Sequence, residues 1–329
     1  MAKRLPSEWE KQSALMVVFP TSQLDWQHSL AQIQASYVAF INAIITYQPC
    51  FVLCDDTLHV SSFFTKNKNL FFIDIQTNDT WIRDFGGIDF YENGSKKTYN
   101  FTFNAWGDKF MSNKDDAVTK QLFKRGILHG TLINESFVLE GGSIDSNGEG
   151  VILSTQKCLF NSNRNKHLTQ TQITQKITSF FDAKKLIMLA NGGLYGDDTD
   201  AHVDTLARFL DKETIAYVKC YDKNDAHFDD LEAMEQELSQ TGFKLFPLPL
   251  PHAKFYNNHR LPATYLNFVF INDALIVPTY DDVHDASVLA SLQLFFSQRV
   301  VIGIDAQIFI REHGSLHCSC MNIYEDNIL

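Results

Sequence analysis

Alternation is the feature that most restricts what this chain can fold into. Short runs rich in β-branched and aromatic residues are interleaved, end to end, with helical stretches, and no Pro/Gly/Ser-rich linker or low-complexity tract divides them. Strand-length runs fall at 15–19, 50–54, 70–75, 87–91, 151–154, 185–189, 214–218, 265–271, 274–279 and 300–304, punctuated by turn formers such as Asn93-Gly94 and Asn272-Asp273. The strongest helix covers 29–46, where Leu30, Ile33, Tyr37, Phe40, Ile41, Ile44 and Ile45 recur at near-helical spacing and form one apolar stripe. Weaker helical patterns cover 115–125, 169–182, 230–240 and 286–298. Five helices spaced by roughly 60 residues, with strands between them, suggest a repeated small β/α unit, although no motif repeats in the residues themselves. Ordinary α/β layering gives a similar census. The unbroken pattern predicts one domain over 1–329.

Composition then removes several classes of function. With 329 residues, 45% of them apolar, the chain can bury a large core without staples. Lys and Arg total 28 against 39 Asp and Glu, a net charge of −11. Such a surface repels phosphate backbones, so nucleic acid is not the expected ligand. No apolar run approaches the ~18 residues of a membrane helix. Ser7, Glu8, Glu10 and Lys11 stand where a signal peptide needs its apolar segment, and the expected location is the cytoplasm. Six cysteines are too sparse for a disulfide framework and are expected as thiols. Cys50 and Cys54, at the ends of an apolar run, are expected in the core.

Four segments are poor structural material but dense in reactive groups: 80–87 (TWIRDFGG), 139–143 (LEGGS), 196–204 (GDDTDAHVD) and 313–320 (HGSLHCSC). Glycines beside reactive side chains permit turns that project those groups into a cleft. If 202–204 is extended, His202 and Asp204 share a face. Taken alone, that segment is equally a turn of solvated aspartates with His202 packed at its edge, and Cys318 is equally a small buried hydrophobe. Cys320 shares the face of Cys318 if 318–320 is extended, so periodicity does not choose between the thiols. On the same assumption His317 points away and is assigned no proton. His317, Cys318, Cys320, His202 and Asp204 are all possible metal ligands, yet no CxxC pair, HExxH or EF-hand loop is present, and no metal or other cofactor is expected. Phosphate-loop and GxSxG signatures are also missing. What remains is Cys and His among carboxylates. Carboxylates beside a thiol raise its pKa, which suits a protease poorly and a cationic substrate well. A planar guanidinium offers a fork of N–H donors that two carboxylates can bracket. Asp84, Asp204, Glu140, His202 and Cys318 together read as a guanidine-modifying site.

In their order, these segments resemble the agmatine deiminase (agmatine iminohydrolase) family of the guanidine-modifying pentein superfamily. Pro6-Ser7-Glu8-Trp9-Glu10 and Phe19-Pro20 resemble that family's start, Trp81-Ile82-Arg83-Asp84 its W-x-R-D segment, and Phe103-Asn104-Ala105-Trp106-Gly107 its F-N-A-W-G. Leu139-Glu140-Gly141-Gly142 resembles its L-E-G-G, Asp200-Ala201-His202-Val203-Asp204 its D-G-H-x-D, and Leu316-His317-Cys318 its I-H-C; Tyr265-Leu266-Asn267-Phe268 and Ile276-Val277-Pro278 also fit. Departures are Ala201 for Gly, Thr205 for Asn, Gly87 for Pro, and His313-Gly314-Ser315 for Gly-Gly-Asn. They leave the reacting groups intact and alter the surroundings of the substrate tail.

The resemblance implies a five-bladed α/β propeller with its site on the central axis. It implies hydrolysis of agmatine to N-carbamoylputrescine and ammonia, a step of putrescine biosynthesis, and allows a homo-oligomer. Cys318 would be the nucleophile, His202 the acid and base, Glu140 the group orienting His202, and Asp84 with Asp204 the guanidinium clamp. Trp81 and Trp106 would stack on the substrate or simply pack. Two alternatives stay open: a deiminase of peptidyl-arginine or free arginine, for which Arg83, Arg164 and Arg208 are candidate carboxylate clamps, and a non-catalytic binding protein of the same fold.

Overall fold

The computed structural model describes residues 3–21 and 25–325. The five predicted helices form as Leu30–Tyr47, Val118–Lys124, Gln170–Phe181, Phe228–Ser239 and Asp285–Phe295. Their causes are local. Ile33, Tyr37, Phe40, Ile41, Ile44 and Ile45 of the first are all buried, the stripe that periodicity marked. Gln170–Phe181 begins in a capping box in which the Thr169 hydroxyl accepts from the Gln172 N–H and the Gln172 side chain accepts from the Thr169 N–H. It stops at Asp182, whose φ of 50° lies in the left-handed region.

Each helix makes the crossover within one small sheet. Gln12–Val18 runs parallel to Cys50–Cys54 across the first helix, Ser95–Thr102 to Thr131–Val138 across the second, and Val151–Thr155 to Lys185–Leu189 across the third. Thr214–Lys219 with Lys244–Pro249, and Ala274–Thr279 with Val300–Asp305, repeat the pattern across the fourth and fifth. In each sheet the first of these strands also pairs antiparallel with a third: Cys320–Tyr324, Ile88–Glu92, Ile144–Ser146, Ala207–Phe209 and Val269–Ile271, respectively. The C-terminal strand thus completes the sheet begun near the N-terminus, with Cys320 opposite Val17. Buried apolar side chains from Leu5 to Ile323 form one contiguous cluster, and Cys50 and Cys54 lie in it as expected.

This is a mixed α/β fold of repeated units. Periodicity missed nine of the described strands, three of them the two-residue pieces Lys3–Arg4, Phe255–Tyr256 and His259–Arg260. Ser95–Thr102 carries Lys96 and Lys97, and Lys244–Pro249 contains two prolines, so neither has the expected composition. Ile144–Ser146 and Ala207–Phe209 are too short to register, while Thr131–Val138 and Cys320–Tyr324 have mixed polarity. The predicted strand 265–271 contracts to Val269–Ile271, because Tyr265–Asn267 turns inward. Among the described residues no helix is long and apolar enough to cross a membrane.

Candidate active site

The segments that link one sheet to the next carry the candidate residues. Asp84 lies on the single helical turn Ile82–Phe85 between the first and second sheets, and Glu140 precedes the turn Gly141–Ser143 between the second and third. His202 caps the short 3-10 turn Val203–Thr205 that leads to the fourth sheet, and that turn carries Asp204. Asn267 leads into the fifth sheet, and Cys318 lies in the turn just before the closing strand. Five connectors therefore deliver five parts of one site.

Gly142 shows how tightly three of them meet. A methyl group built there would sit 2.7 Å from His202 Nδ1, 2.9 Å from an Asp84 oxygen and 3.0 Å from an Asp204 oxygen. Only glycine fits. Its N–H instead donates to Asp84 Oδ1 at 3.0 Å, and Trp106 Nε1 donates to Asp84 Oδ2 at 3.0 Å. Trp106 is held for this by an unusual stretch: Ala105, Trp106 and Gly107 all have positive φ, and Asn163 Nδ2 donates to the Trp106 carbonyl.

Asp84 Oδ1 lies 3.6 Å from His202 Nδ1, and neither ring nitrogen of buried His202 has a hydrogen-bond partner. Burial disfavours charge on this imidazole, but Asp84 first, then the buried Cys158 and Glu140 beside it, override that, so its pKa stands well above the ordinary histidine value. Burial, helped by Asp204 and Glu140, pushes the Asp84 carboxyl up to about 6 against the pull of His202. Cys318 Sγ is 3.4 Å from Asn267 Oδ1 and 3.9 Å from Asp204 Oδ2. Burial first, then the charges of Asp204 and Asp84, hold its thiol well above the usual range. Asp204 goes the other way. Burial raises its pKa, but the hydrogen bond and charge of His317 outweigh that and lower it.

Several expectations need correction. His202 and Asp204 do not share a strand face; a 3-10 turn brings them together. The 316–319 segment is likewise a turn, so His317 does not point away from the site. Its Nδ1 lies 2.7 Å from Asp204 Oδ2 and its Nε2 2.9 Å from Glu8 Oε2, an arrangement that a doubly protonated ring satisfies. Glu140 does not orient His202 by a hydrogen bond. Both its oxygens accept from Arg164 Nε, at 2.8 and 3.0 Å, and its influence on the imidazole is electrostatic. Nor are the three arginines at hand for a substrate carboxylate. Arg164 also binds Asp200 at 2.6 Å, Arg83 is buried against Asn322 and the His317 carbonyl, and Arg208 is paired with Glu8 and the Phe268 carbonyl. Cys320 lies 3.8 Å from Arg83 Nη2, apart from the Cys318 cluster.

Sequence reasoning missed Glu8, the partner of His317, and Asn267, whose Oδ1 accepts from the backbone N–H of His317 and of Cys318 at 2.9 and 3.3 Å. Both stand inside quoted motifs, and that was their only signal. Cys318, Asp84, Trp81 and Trp106 open on a cavity of about 420 Å³ whose mouth includes Asp198, Glu312 and His313. No Lys or Arg lines it among the described residues. His313, where the resembled family has glycine, adopts φ 71° and bonds through Nδ1 to the Gly196 carbonyl at 2.6 Å.

The pattern of the Porphyromonas-type peptidyl-arginine deiminases matches residues 4–323. A cysteine-to-serine C. jejuni agmatine deiminase, solved with substrate bound, is 45% identical with a TM-score of 0.96, over 99% of this chain and 97% of that one. The C. jejuni agmatine deiminase itself is also 45% identical, TM-score 0.94, over 99% and 98% of the two chains. The agmatine deiminase of Pseudomonas aeruginosa (strain LESB58) is 28% identical over 96% of this chain and 94% of its own. The matches run through nearly the whole length of both chains and are not confined to one segment: the chain belongs to the Porphyromonas-type peptidyl-arginine deiminase family, together with the agmatine deiminases it resembles.

Proposed function

We propose that this protein is an agmatine deiminase, hydrolysing agmatine to N-carbamoylputrescine and ammonia in the route to putrescine. One observation carries the substrate class: a buried thiol lies beside two acidic side chains, at the base of a cavity whose charged lining residues, among those described, are acidic apart from histidine. A guanidinium entering between Asp84 and Asp204 gains two carboxylate partners and relieves their repulsion.

The chemistry follows from the charges. As the cation binds, it offsets the carboxylates that hold Cys318 protonated, and the thiol releases its proton to solvent. The thiolate attacks the guanidinium carbon. His202, held as imidazolium, gives its proton to the departing nitrogen, which leaves as ammonia. A covalent amidino-thioether remains on Cys318. Neutral His202 then takes a proton from water, which attacks the same carbon, and collapse expels the thiolate and leaves a ureido product. Glu140 supports the imidazolium by its charge, and Trp81 and Trp106 flank the substrate while Trp106 also fixes Asp84. The five repeated sheets fit a five-bladed propeller, with the connectors meeting on its axis, in a single catalytic domain. An acidic chain with this substrate suits the cytoplasm, and we assign it no cofactor, metal, nucleic acid or membrane partner in this reaction; a homo-oligomer agrees with the family.

A free-arginine or peptidyl-arginine substrate fits less well. Arg83, Arg164 and Arg208 are all engaged in buried pairs, and an acidic mouth suits a terminal amine better than an α-carboxylate. Incubation with agmatine, arginine and a short arginine peptide, following ammonia and ureido product, tests the assignment. Turnover of agmatine is expected to exceed the others by about 10²-fold or more in kcat/KM. Equal turnover of arginine overturns the substrate.

A further inference from the structure

Outside the cavity, His252, Asp282 and His284 form a second cluster of titratable groups that the deiminase chemistry does not use. His252 follows the strand Lys244–Pro249, whereas Asp282 and His284 precede the helix Asp285–Phe295. Two separate connections therefore converge. His252 Nδ1 lies 3.3 Å from Asp282 Oδ1, and His284 Nδ1 lies 2.8 Å from the same oxygen. The imidazole centroids are 5.1 Å apart and tilted by 30°, and one donor atom from each of the three residues falls within 4.8 Å of the others.

A tetrahedral zinc ion with bonds of ~2.0–2.1 Å places neighbouring ligand atoms about 3.3 Å apart. The His252 separation of 3.3 Å matches that edge, and the His284 separation of 2.8 Å has to open by about half an ångström to meet it. The carboxylate is also fixed. Its Oδ2 accepts from the His252 backbone N–H at 2.9 Å, its Oδ1 from the His284 N–H at 3.1 Å, and its own backbone N–H donates to Asp285 at 3.0 Å. The side chain of Asp282 is 1% exposed, while those of His252 and His284 are 65% and 34% exposed. A rigid oxygen thus sits beneath two imidazoles open to solvent, which supplies both preorganisation and an entry path. Lys254 is the competing charge, with Nζ 3.3 Å from Asp282 Oδ2.

We propose that His252, Asp282 and His284 form a surface site for a divalent transition-metal ion of the zinc class, with solvent completing the coordination and Lys254 displaced on binding. Two imidazoles with one carboxylate select such an ion over Mg²⁺, which demands a shell of oxygens.

Zinc titration of the full-length Cys158→Ser/Cys318→Ser protein against a chromophoric chelator tests this, since that background removes the Cys318 thiol and the thiol of the buried Glu140, Cys158 and His202 group as competing ligands. One equivalent is expected to bind, with Mg²⁺ unable to displace it. His252→Ala and His284→Ala should each weaken binding by about tenfold or more. Lys254→Met should tighten it, because the rival cation is gone; a lone surface histidine would show no such response. Circular dichroism of each variant separates loss of the site from loss of fold. Zinc affinity indifferent to both histidine substitutions, or unchanged or weakened by Lys254→Met, overturns the proposal.

Discussion

Two buried polar clusters meet at His317, and they are built on opposite rules. In the first, Arg208 stands between two carboxylates, Glu8 and Asp145, and His317 faces Glu8 from the other side. Arg208 contacts Glu8, lies 3.6 Å from Asp145 and packs over the Phe268 ring, and Glu8 also accepts from the Phe270 N–H and faces His317. Burial raises the Glu8 pKa, but Arg208 and His317 overcome it and hold the carboxyl far below the usual range. In the second cluster, Asp84, Asp204, His202 and Cys318 leave polar capacity unspent. Of seven buried side-chain polar atoms without a hydrogen-bond partner among the described residues, four belong to His202, Asp204 and the adjoining Asn267, against one, Arg208 Nε, in the first cluster. A paired cluster holds the connectors in place. An unpaired one is poised for a cationic ligand, and it costs stability until that ligand arrives.

The largest effect should come from the thiol. Cys318→Ala is expected to lower agmatine turnover on the order of 10⁴-fold or more, while Cys320→Ala stays within about tenfold of the parent. Similar losses in both variants would falsify the choice of nucleophile.

Asp84→Asn should separate function from stability. Turnover falls by about 10³-fold, because half of the clamp loses its charge. Stability moves oppositely, and the sign follows from linkage. The folded protein holds the Asp84 proton up to about pH 6, above the ordinary carboxyl value, so ionising this group destabilises the fold as pH rises through that window. Denaturant melts of Asp84→Asn at pH 8 should therefore show a gain on the order of 2 kcal/mol that fades by about pH 4. A loss of stability at pH 8 contradicts the reading of Asp84 as a strained, ligand-seeking charge.

Glu8→Gln probes the other cluster. Removing its charge leaves Arg208 short of a partner in the interior, and urea unfolding at pH 7 should record a loss of about 3–5 kcal/mol. Turnover per folded molecule should fall less than in Asp84→Asn. The reverse order would erase the distinction between the clusters.

Thiol chemistry offers a milder contrast. Because burial and two carboxylates raise the Cys318 pKa, neutral iodoacetamide should label it slowly at pH 7 and faster as the pH climbs beyond 9. A cationic haloamidine brings its own positive charge and should label it about 10- to 100-fold faster at pH 7. Equal rates for the two reagents at that pH refute substrate-assisted ionisation. The smallest effect is expected at Ala201, whose φ of 67° is left-handed. Ala201→Gly relieves ~1–2 kcal/mol of strain against an entropic loss of ~0.5–1 kcal/mol, for a net gain of about 0.5 kcal/mol in thermal melts.

How much of this was legible in advance depended on distance along the chain. The five crossover helices could be read directly, since an apolar stripe such as Ile33–Tyr37–Ile41–Ile44 is written within one helix and needs no distant partner. Strands with an apolar, β-branched composition were legible for the same reason. Cys320–Tyr324 was not, because it becomes a strand only by pairing with residues some three hundred positions earlier. The reactive side chains were legible as an ordered set of motifs, without their mutual geometry.

By itself, then, the sequence determined the repeating β/α alternation and the acidic balance, and it singled out Cys318, His202, Asp84, Asp204 and Glu140 as the candidates for a reactive group. Tertiary structure alone decided that His317 bridges Asp204 to Glu8, that Glu140 is committed to Arg164, and that no arginine among Arg83, Arg164 and Arg208 is left for a substrate carboxylate. The physical reason is that helix periodicity is a local property, whereas burial, charge pairing and the pKa shifts they cause depend on which of five distant connectors come to lie against one another.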